Sequence, residues 1–533
     1  MIRPRITRRE LFRRSGGLTL PFLLRGTAGA ASAPAATAAA GLRVGPDIYE
    51  SIGVRPFVNG RGTYTILSGS LMLPEVRAAM EAAAHHYVHL DELYEAIGAR
   101  LAVLTGAEWG LVTSGCSAAL THATAACVAG GNPDLHVRIP NLAGFAKDEA
   151  IIPKHSRNVY DAALRAVGVR VVEVSTPAEL ENALGPRTAL AYIFAGPNAD
   201  KSALPTKVVA DIAGRRGVPV LVDAAAEILT VPNVHLQAGA ALVGYSGGKC
   251  LRGPQTAGLL LGRKDLVRAA WIHGAPHHGF ARSMKVGKEE AIGMLMAVEM
   301  WMRRDHEAEW KQWAAWIDHI ARRVGSIDGV RTRVEPPEGL SNRTPTLEVR
   351  WDAKRMGLAG EDVSARFFAG APRVALNAAE EDGQTGVSIT PYMLSPGDEK
   401  TIAEALSALL SKPTRGGDTP VPAPALADLS GTWDVTITYA ASVSRHRLHL
   451  RQRGNAIDGT HQGDFVSRDL KGALDGTVVR LVSEYGEENG DALTFRFTGT
   501  VGLYGMGGNG MSGELDMGEY RRAQWTAIRH ELV

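Results

Sequence analysis

Between Trp109 and Gly262 the chain alternates short apolar runs with segments of helical spacing, and no other feature restricts the fold as much. "WGLVTSG" (109–115) is followed by "CSAALTHATAACVAG", "VRVVEV" (169–174) by "PAELENALG", and "TALAYIFAG" (188–196) by "PTKVVADIAGRRG". "VPVLVDAAA" (218–226), "AALVGYSGG" (240–248) and "AGLLLG" (257–262) complete the series. Repeated strand–helix units predict an α/β fold with an open, mostly parallel sheet covered on both faces. Such sheets bind ligands at the carboxyl ends of their strands. Gly115, Asp223 and the segment from Ser246 to Lys249 all fall at such ends.

The pattern then changes twice. A long helical stretch runs from about Lys288 to Val324, interrupted or kinked near Arg304. "TPTLEVRW" (344–351), "RVALNA" (373–378) and "GVSITPYM" (386–393) read as strands, and "SPGDEKTIAEALSALLSK" as a capped helix with Pro396 and Asp398 near its start. This is a second, smaller α/β layer. "PTRGGDTPVPAPA" (413–425) is a Pro/Gly-rich linker. Beyond it come short alternating strands, "TWDVTITY", "HRLHLRQ", "VVRLVSEY" and "LTFRFTGTV", which predict an all-β, barrel-like domain. The expected organisation is an N-terminal segment with a large domain over 45–310, a small domain over 311–412, the linker, and a β domain over 426–533.

The first forty residues stand apart. "TRRELFRRSGGLTLPFLLRGTAGAASAPAATAAAG" pairs Arg8 with Arg9 ahead of a modest apolar run and a small-residue tract, the layout of a twin-arginine signal. Arg25 breaks the apolar run, so a transmembrane span is not expected. Cleavage would fall after Ala33 or Ala40, leaving a periplasmic or envelope protein with no membrane attachment. The formal net charge of +2 over 533 residues gives no field that favours nucleic acid. Cys116, Cys127 and Cys250 are too few for a disulfide framework.

Lys249 closes "GYSGGK", a strand end followed by a glycine turn. A phosphate-binding P-loop would need Gly at 243 and Ser or Thr at 250, where the chain has Val243 and Cys250. A lysine at a strand end can instead form a Schiff base with a carbonyl cofactor, commonly pyridoxal phosphate. That cofactor needs an acid beside its ring nitrogen, and Asp223, closing an apolar strand, is costly to bury unless paired. Its phosphate needs free N–H groups at a helix start, which Ser114, Gly115 and Cys116 supply.

"NGRGTYTILSGSLM", "LTGAEWGLVTSGCSAALTHATAAC", "VPVLVDAAAE", "LVGYSGGKCLRGPQTAGLLLGRKDL" and "RSMKVGKEE" together resemble the selenocysteine-synthase-like group of fold type I pyridoxal-phosphate enzymes, on the D-glucosaminate-6-phosphate ammonia-lyase branch. The resemblance covers roughly residues 45 to 412. It implies Lys249 as the cofactor lysine, Asp223 at the ring nitrogen, and Ser114, Gly115, Cys116 and Ser246 around the phosphate. It also implies His155 stacked near the ring. Cys116 departs from the small residue usual there, and the signal and β domain lie outside the usual pattern. The implied activity is α,β-elimination on an amino acid or amino-sugar acid with release of ammonia, by a homodimer or larger homo-oligomer. A racemase or epimerase would use the same residues. A binding protein of the cell envelope that kept the fold without the chemistry is the reading from another class.

Three further groups are candidates. Arg282 and Lys285 could hold an anionic group or form a solvated basic turn. Arg61, in "VNGRGTYT", could reach a substrate carboxylate or belong to a plain turn. His273, His277 and His278 have no carboxylate or cysteine at ligand spacing, so no metal is expected.

Overall fold

The structure is a computed structural model that describes residues 41–381, 384–412, 422–486, 492–502 and 510–530. The signal expected over 1–40 lies outside them, as does most of the linker. The chain divides into two compact units, one ending at Phe57 and one starting at Val58. In the first, a single 3-10 turn spans Glu50–Ile52 and the Ser51 hydroxyl donates to the Ile48 carbonyl. Everything below concerns the second.

Its largest element is a seven-stranded sheet. In spatial order the strands are Trp109–Thr113, Gly258–Gly262, Leu242–Ser246, Val220–Asp223, Thr188–Phe194, Glu149–Pro153 and Arg170–Val174. Only Gly258–Gly262 runs against its neighbours, so the sheet is mostly parallel, as the alternation predicts. The central strands are buried along both faces, which is why they read as unbroken apolar runs. The helix Cys116–Ala129 is buried along its whole length except at Ser117, and its alanines let it lie close to the sheet.

The helical stretch after Lys288 is two helices, Lys288–Arg303 and His306–Gly325. Arg304 is extended between them, and the Asp305 carboxylate accepts from the Ala308 N–H to start the second. That second helix shares a core with a four-stranded antiparallel sheet, ordered Asn377–Glu381, Gln384–Ile389, Thr346–Trp351 and Val330–Glu335. The run expected as one strand over 373–378 is split. Val374–Ala375 pairs in parallel with Val58–Asn59, and only from Asn377 does the chain join the sheet. Pro391 ends the following strand in a 3-10 turn, because it offers no N–H to the ladder.

Beyond the linker, eight antiparallel strands from Gly431 to Arg529 close into a barrel, the first pairing with the last. Each strand alternates inward and outward residues, and Trp433, Leu448, Leu481, Phe497 and Trp525 fill the interior. Among the described residues no helix is long and apolar enough to cross a membrane.

Candidate active site

The carboxyl ends of the central strands open onto a cavity of about 400 Å3. Gly115, Cys116 and Ser117 line one end of it, Asp223 and Ala225 the floor, and Ser246, Lys249 and Gln255 a side. Arg61, Asn342, Asn377 and Tyr392 close it from the small layer.

Two glycines make the floor possible. Gly115 has φ of +90°, a conformation that side chains disfavour, and so turns the chain from strand into helix. A Cβ on Gly258 would stand 2.3 Å from the Gly115 carbonyl carbon, so only glycine lets the two backbones meet. The helix that starts at Cys116 has no side-chain cap. Its first N–H groups are orphans, and its positive dipole end lies at the cavity. This is the geometry that takes a phosphate.

Asp223 is 2 % exposed and accepts three hydrogen bonds. The Ala225 N–H donates to Oδ1 at 3.0 Å, the Cys116 thiol to Oδ1 at 3.5 Å, and the Tyr192 hydroxyl to Oδ2 at 3.1 Å. Burial pushes its carboxyl above the usual carboxylate range, opposed by the Ala225 N–H, by the Lys249 charge and by the two side-chain donors. The same burial raises the Tyr192 phenol and the Cys116 thiol, so both stay protonated and able to donate. A buried acid held by neutral donors, with a lysine on the same cavity, lacks a cationic partner in contact with it. The ring nitrogen of pyridoxal phosphate would be one. With the uncapped helix start, Asp223 and Lys249 all lining one cavity, the residues present fit that cofactor.

Arg61 reaches the cavity through the small layer. The Asn59 side-chain oxygen Oδ1 accepts from the Arg61 and Gly62 N–H groups, while the Gly60 backbone carbonyl accepts from the Thr390 N–H. The Arg61 guanidinium donates to Asn377 at 2.7 Å and lies over the Tyr64 ring. Its remaining N–H groups suit an anionic substrate group.

Of the expected residues, Lys249, Asp223, Gly115, Cys116, Ser246 and Arg61 line this cavity together. Four are placed elsewhere. The Ser114 hydroxyl turns away and donates to the Met284 carbonyl. His155 sits in a 3-10 turn with its ring against the Leu204 carbonyl and the Ser156 hydroxyl, so Tyr160 and Phe194 line the cavity in its stead. Burial lowers the His155 pKa, which favours its neutral form. Arg282 and Lys285 are exposed and outside the lining. Among the described residues no group of three or more His, Cys, Asp or Glu could hold a metal ion.

Sequence reasoning missed Tyr160, Tyr192, Gln255, Asn342, Asn377, Thr390 and Tyr392. Tyr192 alone carried a signal: a phenol inside an apolar strand needs a buried partner. Burial raises the Tyr160 phenol, and the charges of Asp223 and of Glu519 in the barrel add to it.

Residues 79–285 match the aminotransferase class-V family. The chain is 31% identical over 374 residues to the D-glucosaminate-6-phosphate ammonia lyase of Salmonella typhimurium, covering 68% of this chain and 96% of that one. It is 32% identical over 376 residues to the 5'-C-glycyluridine monooxygenase-decarboxylase of a Streptomyces species, covering 68% and 92%. A solved structure of D-glucosaminate-6-phosphate ammonia-lyase superposes with a TM-score of 0.61 at 29% identity, over 68% of this chain and 98% of the other.

Proposed function

We propose, for a chain that belongs to the aminotransferase class-V family of pyridoxal-phosphate enzymes, a lyase that acts on an amino acid or amino-sugar acid. The reaction is α,β-elimination: the α-proton and a β-substituent leave, and hydrolysis gives a 2-keto acid and ammonia. The observation that carries the reading is Asp223, buried at a strand end with neutral donors around it and Lys249 on the same cavity. The elimination chemistry of the Salmonella relative's name supports the reaction type.

Pyridoxal phosphate, when bound, supplies the electron sink. This chain's residues do the rest. The Cys116 and Ser117 N–H groups bind the phosphate, with Ser246 on the same cavity, while the Gly115 N–H is held by the Thr113 carbonyl. Asp223 holds a proton on the ring nitrogen, and Tyr192 and Cys116 fix the carboxylate that does so. Lys249 carries the cofactor, and its Nζ, once free, takes the α-proton. Arg61 orients the substrate through an anionic group.

Borohydride reduction of the loaded protein, followed by peptide mapping, tests this assignment. The cofactor is expected on Lys249, and a label on any other lysine overturns it. Screening D- and L-amino acids and amino-sugar acids for ammonia and keto-acid release tests the reaction. Racemisation without either product would replace the lyase reading with that of an epimerase.

The proposal includes export of the folded, loaded enzyme and its assembly into a homodimer or larger homo-oligomer. Paired Arg8 and Arg9 ahead of a short apolar run support export. Arg8→Lys with Arg9→Lys should hold the protein, still loaded, in the cytoplasm. Undiminished export of that variant would refute the twin-arginine route. Light scattering of the purified protein should give at least twice the chain mass.

A further inference from the structure

Next to the cofactor cavity lies a second, larger one of about 810 Å3. The two share Asn342 and Tyr392 as lining. Lys249 lines the first, and Cys250, the next residue, lines the second. Its walls are indoles: Trp301, Trp310, Trp313 and Trp316, with Leu229 and Met393 between them.

The tryptophans are held in place by the surrounding fold and by one contact between two of them. The Trp301 indole N–H donates to the Leu229 carbonyl at 2.7 Å. Trp316 belongs to the small layer's core. Trp313 meets Tyr392 edge to face at 6.3 Å, and Trp310 lies 6.3 Å from Trp313. The Tyr392 hydroxyl bonds the Thr63 hydroxyl at 2.7 Å and donates to Asn342 at 3.3 Å. Tyr392 is thus a partition, with its hydroxyl fixed on one side and its ring against Trp313 on the other.

Arg252, His306, Glu307 and Arg343 stand among the lining, and one pair beside the indoles, Arg304 with Glu309, is committed. Arg304 donates to both oxygens of Glu309, at 2.8 and 2.9 Å, and to the Cys250 carbonyl at 3.1 Å, while its guanidinium lies over Trp301. The pair stiffens the wall and leaves apolar, π-rich surface for a ligand. Cavities of this size and lining take small organic molecules, and aromatic walls favour flat rings.

We propose that the tryptophan-lined cavity is the side-chain subsite of the enzyme, and that its substrate is an amino acid ending in an aromatic or heteroaromatic ring. The inference rests on the cofactor site argued above and adds the substrate class. The reacting carbon stays at Lys249, and the ring passes Tyr392 and Asn342 into the indole-lined space.

Reduced adducts of pyridoxal phosphate with amino acids test it, because they place the cofactor and the side chain in one non-reacting molecule. Calorimetric titration of the cofactor-free protein compares the adducts of D- and L-tryptophan with those of D- and L-alanine. One tryptophan adduct should bind roughly tenfold tighter than the matching alanine adduct. In Trp313→Ala, and independently in Trp310→Ala, that advantage should shrink while the alanine adducts bind as before. Equal affinity for the two classes overturns the subsite but leaves the cofactor site standing, since all adducts still bind. An advantage that survives both variants also overturns it. If no adduct binds, the cofactor site itself is wrong and the subsite falls with it.

Discussion

The cofactor cavity and the barrel interior both bury polar side chains, and they do so in opposite ways. In the barrel, Ser483 lies 2.7 Å from His461 Nδ1, and His461 Nε2 lies 2.8 Å from His446 Nδ1. His446 Nε2 ends the chain 3.6 Å from the Asp464 carboxylate. Phe495 and Phe497 pack against the His461 ring, edge to face. Both ring nitrogens of His461 are satisfied within the fold, and only at His446 Nε2, which has no hydrogen-bond partner among the described residues, is the chain left open. Asp223 has donors too, but it lines a cavity that Lys249 also lines. A polar group satisfied by its own fold belongs to architecture, whereas one left facing a cavity is held for something that arrives.

The sharpest break between the two regions should come from Asp223→Ala. Turnover is expected to fall on the order of a thousandfold, as when a preorganised electrostatic partner is removed. Steady-state assays on the loaded protein would show it, with hydrogen exchange in the barrel strands unchanged. His461→Ala should do the reverse. It leaves His446 and Ser483 unpaired beside a void, costing about 2–4 kcal/mol of barrel stability. Denaturant unfolding followed by exchange in the barrel strands would measure that, and turnover should hold within about threefold because His461 shares no hydrogen-bond partner with the cavity residues.

Acid should separate the regions as well. Burial lowers the His461 pKa to about 3, from 6.5 when exposed. The unfolded chain therefore binds the proton more readily, so this group's contribution is full above about pH 6.5 and is lost as the pH falls toward about 3. Barrel melting followed between those limits should steepen in the wild type and flatten in His461→Leu. A wild-type profile no steeper than the variant's would rule out the histidine as its source.

Tyr192→Phe sharpens the comparison inside the cavity. It removes one of three donors to Asp223, and a loss of roughly fivefold in turnover is expected, about one hydrogen bond's worth. The smallest effect belongs to Arg282→Ala and Lys285→Ala, which should leave cofactor affinity within about twofold, as for exposed side chains outside the lining. A larger loss would return them to the site.

What the sequence disclosed follows the same division. Asp223 and Lys249 stand where an apolar strand meets a turn, and local pattern reveals such punctuation. Asn342, Thr390 and Tyr392 come from the small layer, and nothing local says which loop folds back onto the sheet. His155 lay near the right place in the chain, but a 3-10 turn aims its ring at the Leu204 carbonyl. Four barrel strands were hidden for another reason. "AIDGTHQ" and "SRDLKGALD" put few large apolar residues on the inward face: Ile457 alone in one, beside the polar His461, and Leu470 and Leu474 in the other. Such strands are defined by their neighbours more than by themselves.

The closure of the barrel also bears on inheritance. Because Trp433 to Thr438 pairs with the last strand as well as the second, the domain offers no free edge at that seam. It needs no partner strand from the enzyme, and the enzyme's sheets need none from it. The Salmonella relative, matched over 96% of its own length by 68% of this chain, has no room for such a domain. A self-closed module on one tether can be gained or lost by a lineage in a single joining event. The barrel's strand pairing is thus self-contained, and the part of this chain that matches the Salmonella relative can be compared with it without the barrel.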